Sequence, residues 1–195
     1  MAKKKPEEGK PEEPYNVKLD LYFWLQALVM ALVGIILVFT IFGRLTPVDG
    51  TSMLPTLHDK DMMVVRSLGY TPAQGDVIVL TKFFVKPDGT EVPDPIVKRV
   101  IAVGGQHVDV DYAAGTVAVD GQVLDEDYTL EPMMQMSWQE NVSVDVPEGS
   151  VFVMGDNRNV SLDSRYPGLD VVDERYILGQ AALVLFPFRD FGTIE

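Results

Sequence analysis

Three segments of the chain gather the residue types from which hydrolytic chemistry is built. VDGTSMLPTLHDKD (48–61) sets Ser52 in a Gly-Thr-Ser-Met turn ahead of Pro55, where a loop would expose its hydroxyl. PIVKRVIAVGG (95–105) interrupts an apolar β run with Lys98. MGDNRNVSLDSRYPG (154–168) crowds Gly, Asp, Asn, Ser and Arg into one loop between strands. Each has an ordinary reading beside the chemical one. Turn serines commonly bond their own backbone, and a lysine in a half-buried alternating strand normally points to solvent. A loop such as 154–168 serves equally as a turn network or a calcium site. It lacks the alternate oxygen ligands and late bidentate Glu of an EF-hand loop, so that motif is excluded.

Composition narrows the chemistry further. The 195 residues include no cysteine, which excludes thiol nucleophiles, iron–sulfur clusters, thiolate zinc sites and disulfides. The imidazoles are two, His58 and His107, so hydrolysis must rest on Ser, Lys, Asp or Glu, or on one of these rings. Neither a metal site nor a cofactor is expected. With 16 Lys+Arg against 29 Asp+Glu the net charge is −13, which opposes general nucleic-acid binding because phosphate contacts need a basic face. An apolar content of 47% is that of a chain able to bury a core without disulfides.

The elements that must position these segments are mostly strands. MMVVR (62–66), DVIVL (76–80), PIVKRVIAV (95–103), HVDVD (107–111), TVAVDGQVL (116–124), VSVDV (142–146), SVFVM (150–154) and GQAALVLFPF (179–188) are β-branched runs bounded by turn residues. Asp120-Gly121, between two alternating runs, marks a two-residue hairpin turn. No 12-residue amphipathic helix and no internal repeat stands out, so the part carrying the three segments is expected to be mainly β.

Ahead of it lie two segments of different character. Residues 1–20 are rich in Pro, Glu and Lys and have almost nothing to bury, as a disordered tail does. Residues 21–43 hold an uncharged run, LYFWLQALVMALVGIILVFTIF (21–42), which as a helix reaches about 33 Å, enough for a hydrocarbon core of about 30 Å. It is too long for a signal-peptide core and has no small-x-small site after it. Lys3, Lys4, Lys5, Lys10 and Lys18 precede it, with Arg44 close behind, so the positive-inside rule puts the N-terminus in the cytoplasm and residues 44–195 outside the cell membrane. The five lysines and five acids of 1–20 cancel, which leaves the whole net charge of −13 on 44–195.

Taken together, in this order and behind one N-terminal anchor, the segments resemble the bacterial type I signal peptidases, membrane serine proteases with a Ser–Lys dyad. The resemblance rests on G-T-S-M-L-P-T-L, G-D-V (75–77), K-R-V-I and G-D-N-R-x-x-S-x-D-S-R-x-x-G. It implies a coiled antiparallel β-sheet catalytic domain with a small cap. Ser52 matches the family's nucleophile and Lys98 its general base, with Met53 following the nucleophile. Ser161 matches the hydroxyl that orients the base, while Asp156, Arg158, Asp163 and Arg165 match the charged loop that braces the site. The implied activity is removal of signal peptides from exported preproteins after a small-x-small motif, at the lipid bilayer and near the secretion translocon.

Those roles make chemical sense. A serine hydroxyl needs a base to take its proton, and a neutral amine serves without histidine. Lysine must first lose its charge, for which desolvation is the term of sufficient size; Ile96, Val97, Val100 and Ile101 suit that demand. Ser161 is expected to accept a hydrogen bond from the amine and so aim its lone pair at Ser52. Two positions depart from the family pattern. Gly50 stands where some relatives place a serine that donates to the oxyanion, leaving the Ser52 N–H as one donor and the second unassigned. The G-x-P-G-D after the lysine box is Ala102-Val103-Gly104-Gly105-Gln106.

The alternatives are concrete. His58, six residues after Ser52, is the rival base, while His107 is expected to be exposed or structural. A repressor-type self-cleaving Ser–Lys protease would share the catalytic logic but lack the anchor. A tethered non-catalytic binding module would lack nucleophile, base or brace. FFV (83–85), MMQMSW (133–138) and LFPFRDF (185–191) either dip into the membrane interface or pack into the core.

Overall fold

The structure, a computed structural model, describes residues 17–85, 89–91, 95–134 and 140–194, and of 38–42 the backbone alone. The chain divides into two compact units, one ending at Phe39 and one spanning Thr40–Glu195. Residues 1–16 of the expected tail lie outside the described residues.

The described residues of the first unit lie in a helix, α1 (Val17–Phe42), whose last three residues belong to the second. It begins a turn earlier than the uncharged run and takes in Lys18 and Asp20. Its 21 residues Val17–Leu37 have a mean hydropathy of 2.0 and none of that stretch is buried. A helix apolar around its whole circumference needs an apolar surrounding, and this one is long enough to cross a membrane.

The second unit is mainly β. Its strands are β1 (Arg44–Pro47), β2 (Met62–Arg66), β3 (Val77–Leu80), β4 (Ile96–Val103), β5 (His107–Asp111), β6 (Thr116–Val119), β7 (Gln122–Val123), β8 (Val142–Asp145), β9 (Ser150–Met154), β10 (Val172–Asp173), β11 (Ile177–Phe186) and β12 (Gly192–Thr193). The larger sheet runs β1-β2-β11-β3-β4-β9-β10, with β12 also on β11; a four-stranded sheet, β7-β6-β5-β8, forms the cap. Every described pairing is antiparallel. All eight expected strand segments are present, and the Asp120-Gly121 turn has both residues at positive φ, 51° and 77°, the geometry of a type I′ hairpin.

The period-2 alternation of β3 explains how one sheet feeds two cores. Val77 and Val79 pack on one face with Met53, Leu57, Met63 and Val97. Ile78 and Leu80 pack on the other with Phe84, Val100, Val151 and Leu169. A third cluster joins Ile101, Ala102, Phe152 and Met154 of the larger sheet to Val108, Val110 and Val117 of the cap. Strand β4 therefore has no solvent face: Val97 to Ala102 are all buried. The ordinary reading, in which an alternating lysine points to water, does not hold at Lys98, which is buried as the desolvated reading requires.

The apolar loops divide. Phe84 and Met133 enter cores, whereas Phe83, Phe186, Phe188 and Phe191 stay exposed; residues 135–138 lie outside the described residues.

Candidate active site

Between β1 and β2 the chain makes a loop closed at its neck. Val48 N–H donates to the Asp61 carbonyl at 2.8 Å and Lys60 N–H to the Val48 carbonyl at 2.9 Å. Lys60 Nζ reaches Asp49 at 2.7 Å and Asp59 at 3.5 Å. Inside the loop, Met53 and Leu57 are buried in the core on the β3 face, so the turn holding Ser52 is plugged into the sheet immediately after the serine. Met53 thus anchors the turn.

A second set of contacts grips the turn from the 154–168 loop. Asn157 N–H donates to the Ser52 carbonyl at 3.0 Å, and Asn157 Nδ2 donates to the Thr51 carbonyl at 3.1 Å. Gly155 is required beneath them: a Cβ there would lie 2.5 Å from the Ser52 carbonyl oxygen and collide with the Ser161 hydroxyl. Gly155 N–H donates to Asp163 Oδ2 at 3.0 Å.

Lys98 comes from β4, paired opposite Ile78. Its Nζ lies 2.8 Å from Ser52 Oγ and donates to the Val97 carbonyl at 2.9 Å. The side chain is 4% exposed, and burial pushes the amine down from 10.5 to about 8; Asp163 and Asp156 pull it back up, and Arg165 pushes down. The two acids do not act as free charges. Arg165 clasps Asp163 through Nε and Nη2, both at 2.8 Å. Burial would raise Asp163, but Arg165 and the Gly155 N–H outweigh it and hold the carboxyl below its ordinary range.

Asp156 is neutralised by a residue the sequence reading assigned no role. Arg99 donates to it bidentately, from Nε and Nη2 at 2.8 Å each, with both side chains at most 3% exposed. Thr56 Oγ1 donates to Asp156 Oδ2 at 2.5 Å. Arg158 pairs with Glu126 through two 2.6 Å bonds. The Tyr128 ring stacks beside both guanidiniums, 4.1 Å from Arg99 and 5.8 Å from Arg158. Asp156 and Arg158 thus belong to one brace whose other members, Arg99, Thr56, Glu126 and Tyr128, went unassigned. The available signal was Arg99 itself, a second cation beside Lys98 in an apolar strand.

Ser161 differs from expectation in detail. It adjoins Gly155 and the Ser52 carbonyl, but its buried Oγ makes no hydrogen bond of good geometry, although it is near enough to Asp163 to help hold that carboxyl low. The expected bond from Lys98 is not formed because the amine is directed to Ser52 Oγ and Val97 O. Gly50 has φ +94°, a left-handed backbone that disfavours a serine there, and its N–H is spent on Asp59 Oδ1 at 2.9 Å. The Ser52 N–H, by contrast, makes no hydrogen bond to a described residue.

Ser52 and Lys98 share a cleft of about 430 Å³ whose walls include Gly50, Phe84, Ile96, Val160 and Leu162. A larger cavity of about 530 Å³ shares Val160 and Leu162 with it and is lined by Ser161, Asp163 and Arg165 but by neither Ser52 nor Lys98. His58 does not line the cleft; its Nδ1 is 3.9 Å from Asp61 Oδ2. His107 sits on the cap, 2.6 Å from Asp145 and 3.2 Å from Asp109, and these acids hold its imidazole above the ordinary range.

Residues 21–186 match the family described as signal peptidase, peptidase S26. Signal peptidase I of Bacillus licheniformis is 32% identical over 191 residues, covering 94% of this chain and 98% of that protein. Probable signal peptidase I-1 of Synechocystis is 39% identical over 183 residues, covering 91% of this chain and 87% of its own length. Signal peptidase I T of Bacillus subtilis is 32% identical over 187 residues, 92% of this chain and 93% of that protein.

Proposed function

The chain belongs to the signal peptidase family, peptidase S26, and we propose that Ser52 is the nucleophile and Lys98 the general base with which it hydrolyses signal peptides. The observation that carries this reading is the 2.8 Å approach of a buried lysine amine to the hydroxyl of a turn serine. Lys98 in its neutral form takes the Ser52 proton as Oγ attacks the scissile carbonyl carbon. The oxyanion forms against the Ser52 N–H. Lys98 then gives the proton to the departing amine, which becomes the N-terminus of the mature protein, and leaves the signal peptide esterified to Ser52. A water deprotonated by Lys98 hydrolyses that ester and restores both groups.

Asp163 with Arg165, and Asp156 with Arg99 and Arg158, brace the site without placing an unpaired charge beside the amine. Ser161 supports the base through the Asp163 side of the site, and Met53 seats the nucleophile turn. The apolar walls and modest volume of the cleft support cleavage after small side chains, with larger ones excluded sterically.

The length and apolarity of α1 support anchoring at the cell membrane, and the lysines ahead of it support a cytoplasmic N-terminus, with 44–195 as the extracytoplasmic domain. Ser52 is ten residues beyond Phe42, a tether of at most about 36 Å, so preproteins still held in the bilayer near the translocon meet it at high effective concentration. Exposed Phe83, Phe186, Phe188 and Phe191 favour contact with the interface. Mass spectrometry of enzyme quenched during turnover tests the chemistry: a signal-peptide adduct on the peptide containing Ser52 is expected, and an adduct elsewhere, or none, overturns the assignment.

A further inference from the structure

The neck of the nucleophile loop holds an electrostatic imbalance that neither the dyad nor its brace explains. Asp61 is 1% exposed. One carboxylate oxygen, Oδ2, accepts the His58 N–H at 2.8 Å; the other, Oδ1, is buried with no hydrogen-bond partner. Among the described residues, the one basic side chain within ion-pair distance is His58, at 3.9 Å. A buried carboxylate with a bare oxygen and no fixed counter-charge is costly, and such groups are ordinarily paired or bound to a metal.

A third ligand comes from far along the chain. Asp190, in the segment between β11 and β12, brings a carboxylate oxygen to the same place, and ligand atoms of His58, Asp61 and Asp190 all lie within 4.8 Å of one another. Around a tetrahedral ion with bonds of about 2.0–2.2 Å, ligand atoms stand about 3.5 Å apart. Small movements of the exposed His58 and the partly exposed Asp190 close that difference. Asp190 Oδ2 also accepts from Arg189 Nε at 3.0 Å, but Arg189 is 77% exposed, and a surface pair between neighbours is readily released.

We propose that His58, Asp61 and Asp190 form a structural site for a divalent transition metal of the zinc class, which pins the neck of the Ser52 loop to the C-terminal segment. One imidazole with two carboxylates suits zinc, whereas calcium prefers six to eight oxygens. The ion compensates the buried Asp61 charge and cross-links two stretches that are joined otherwise through β2 and β11. It takes no part in the chemistry: these ligands lie outside the cleft, and hydrolysis proceeds on Ser52 and Lys98.

The test is thermal unfolding of the detergent-solubilised full chain, stripped of metal and titrated with zinc chloride, alongside His58→Gln, Asp190→Asn and His107→Gln. The unliganded protein is expected to gain about 5–10 °C at a hundredfold excess over half-saturation, with one equivalent bound by calorimetry. His58→Gln and Asp190→Asn should weaken binding by more than about tenfold, a loss that even outer-shell partners can cause, while His107→Gln leaves it intact. Because His58 and Asp190 are not core residues, their variants should fold as wild type does. No saturable stabilisation, stabilisation retained in both ligand variants, or its loss in His107→Gln would each overturn the proposal.

Discussion

The main-chain N–H of Asn157 donates to the carbonyl of Ser52 at 3.0 Å while its side-chain amide donates to that of Thr51 at 3.1 Å. One residue therefore fixes both peptide groups that flank Ser52. On its other side Ser52 is set by Lys98, and the turn between is held down by Met53 in the core.

Asn157→Ala removes the side-chain bond and keeps the main-chain one. Loss of one hydrogen bond that orients Ser52 is expected to lower kcat about tenfold with little change in KM. The pH midpoint should stay in place, because Asn157 carries no charge. Steady-state kinetics at several pH values checks this; a variant with wild-type kcat would deny Asn157 the positioning role.

Ser52→Ala and Lys98→Ala should each abolish cleavage of a model preprotein, by at least about a thousandfold, with circular dichroism unchanged. Gel-based processing assays measure it. Turnover surviving in either variant removes that residue from the dyad.

As the proposed general base Lys98 must be neutral, and burial puts its amine at about 8. Below that value the active fraction grows about tenfold per pH unit, so kcat/KM should climb from pH 6 and level off above about 8. A profile flat from pH 5 to 9 contradicts a lysine proton acceptor.

The same burial makes Lys98 a liability for folding. Its folded-state value lies below 10.5, so below pH 8 the folded protein must either hold a buried charge or give up a proton that the unfolded chain keeps. Stability is therefore lowest on this account below about pH 8, and rises with pH from about 8 to 10.5. Lys98→Met is expected to raise stability at pH 7 by about 2 kcal/mol, once two lost hydrogen bonds are set against the relieved penalty. Chemical denaturation at pH 7 and pH 10 reads the effect, which should shrink at the higher pH.

The strands were legible because β-branched runs end at Gly, Pro, Asn or Asp, and Asp120-Gly121 gave the hairpin its turn type. Strand β1 was missed because it is four residues long and ends in Pro47, as an edge strand can. The pairing of Ser52 with Lys98 is legible through resemblance alone. Alternation would send Lys98 to water, and nothing local shows that β4 is covered on both faces. Arg99 was overlooked for the same cause: its partners Asp156 and Gly75 come from other segments, and only the folded register brings them in. Ser161 lies beside the Ser52 carbonyl without the expected bond from Lys98, since side-chain direction is set by packing that spacing does not encode.

The stack of Tyr128 on Arg99 and Arg158, with Glu126 and Asp156 closing the charges, ties a cap segment to the floor of the site. A chimera that exchanges the cap for another protein's would strand two guanidiniums without their aromatic and acidic complements. Positions 99, 126, 128, 156 and 158 must therefore be transplanted, and are expected to drift in evolution, as a single inherited unit.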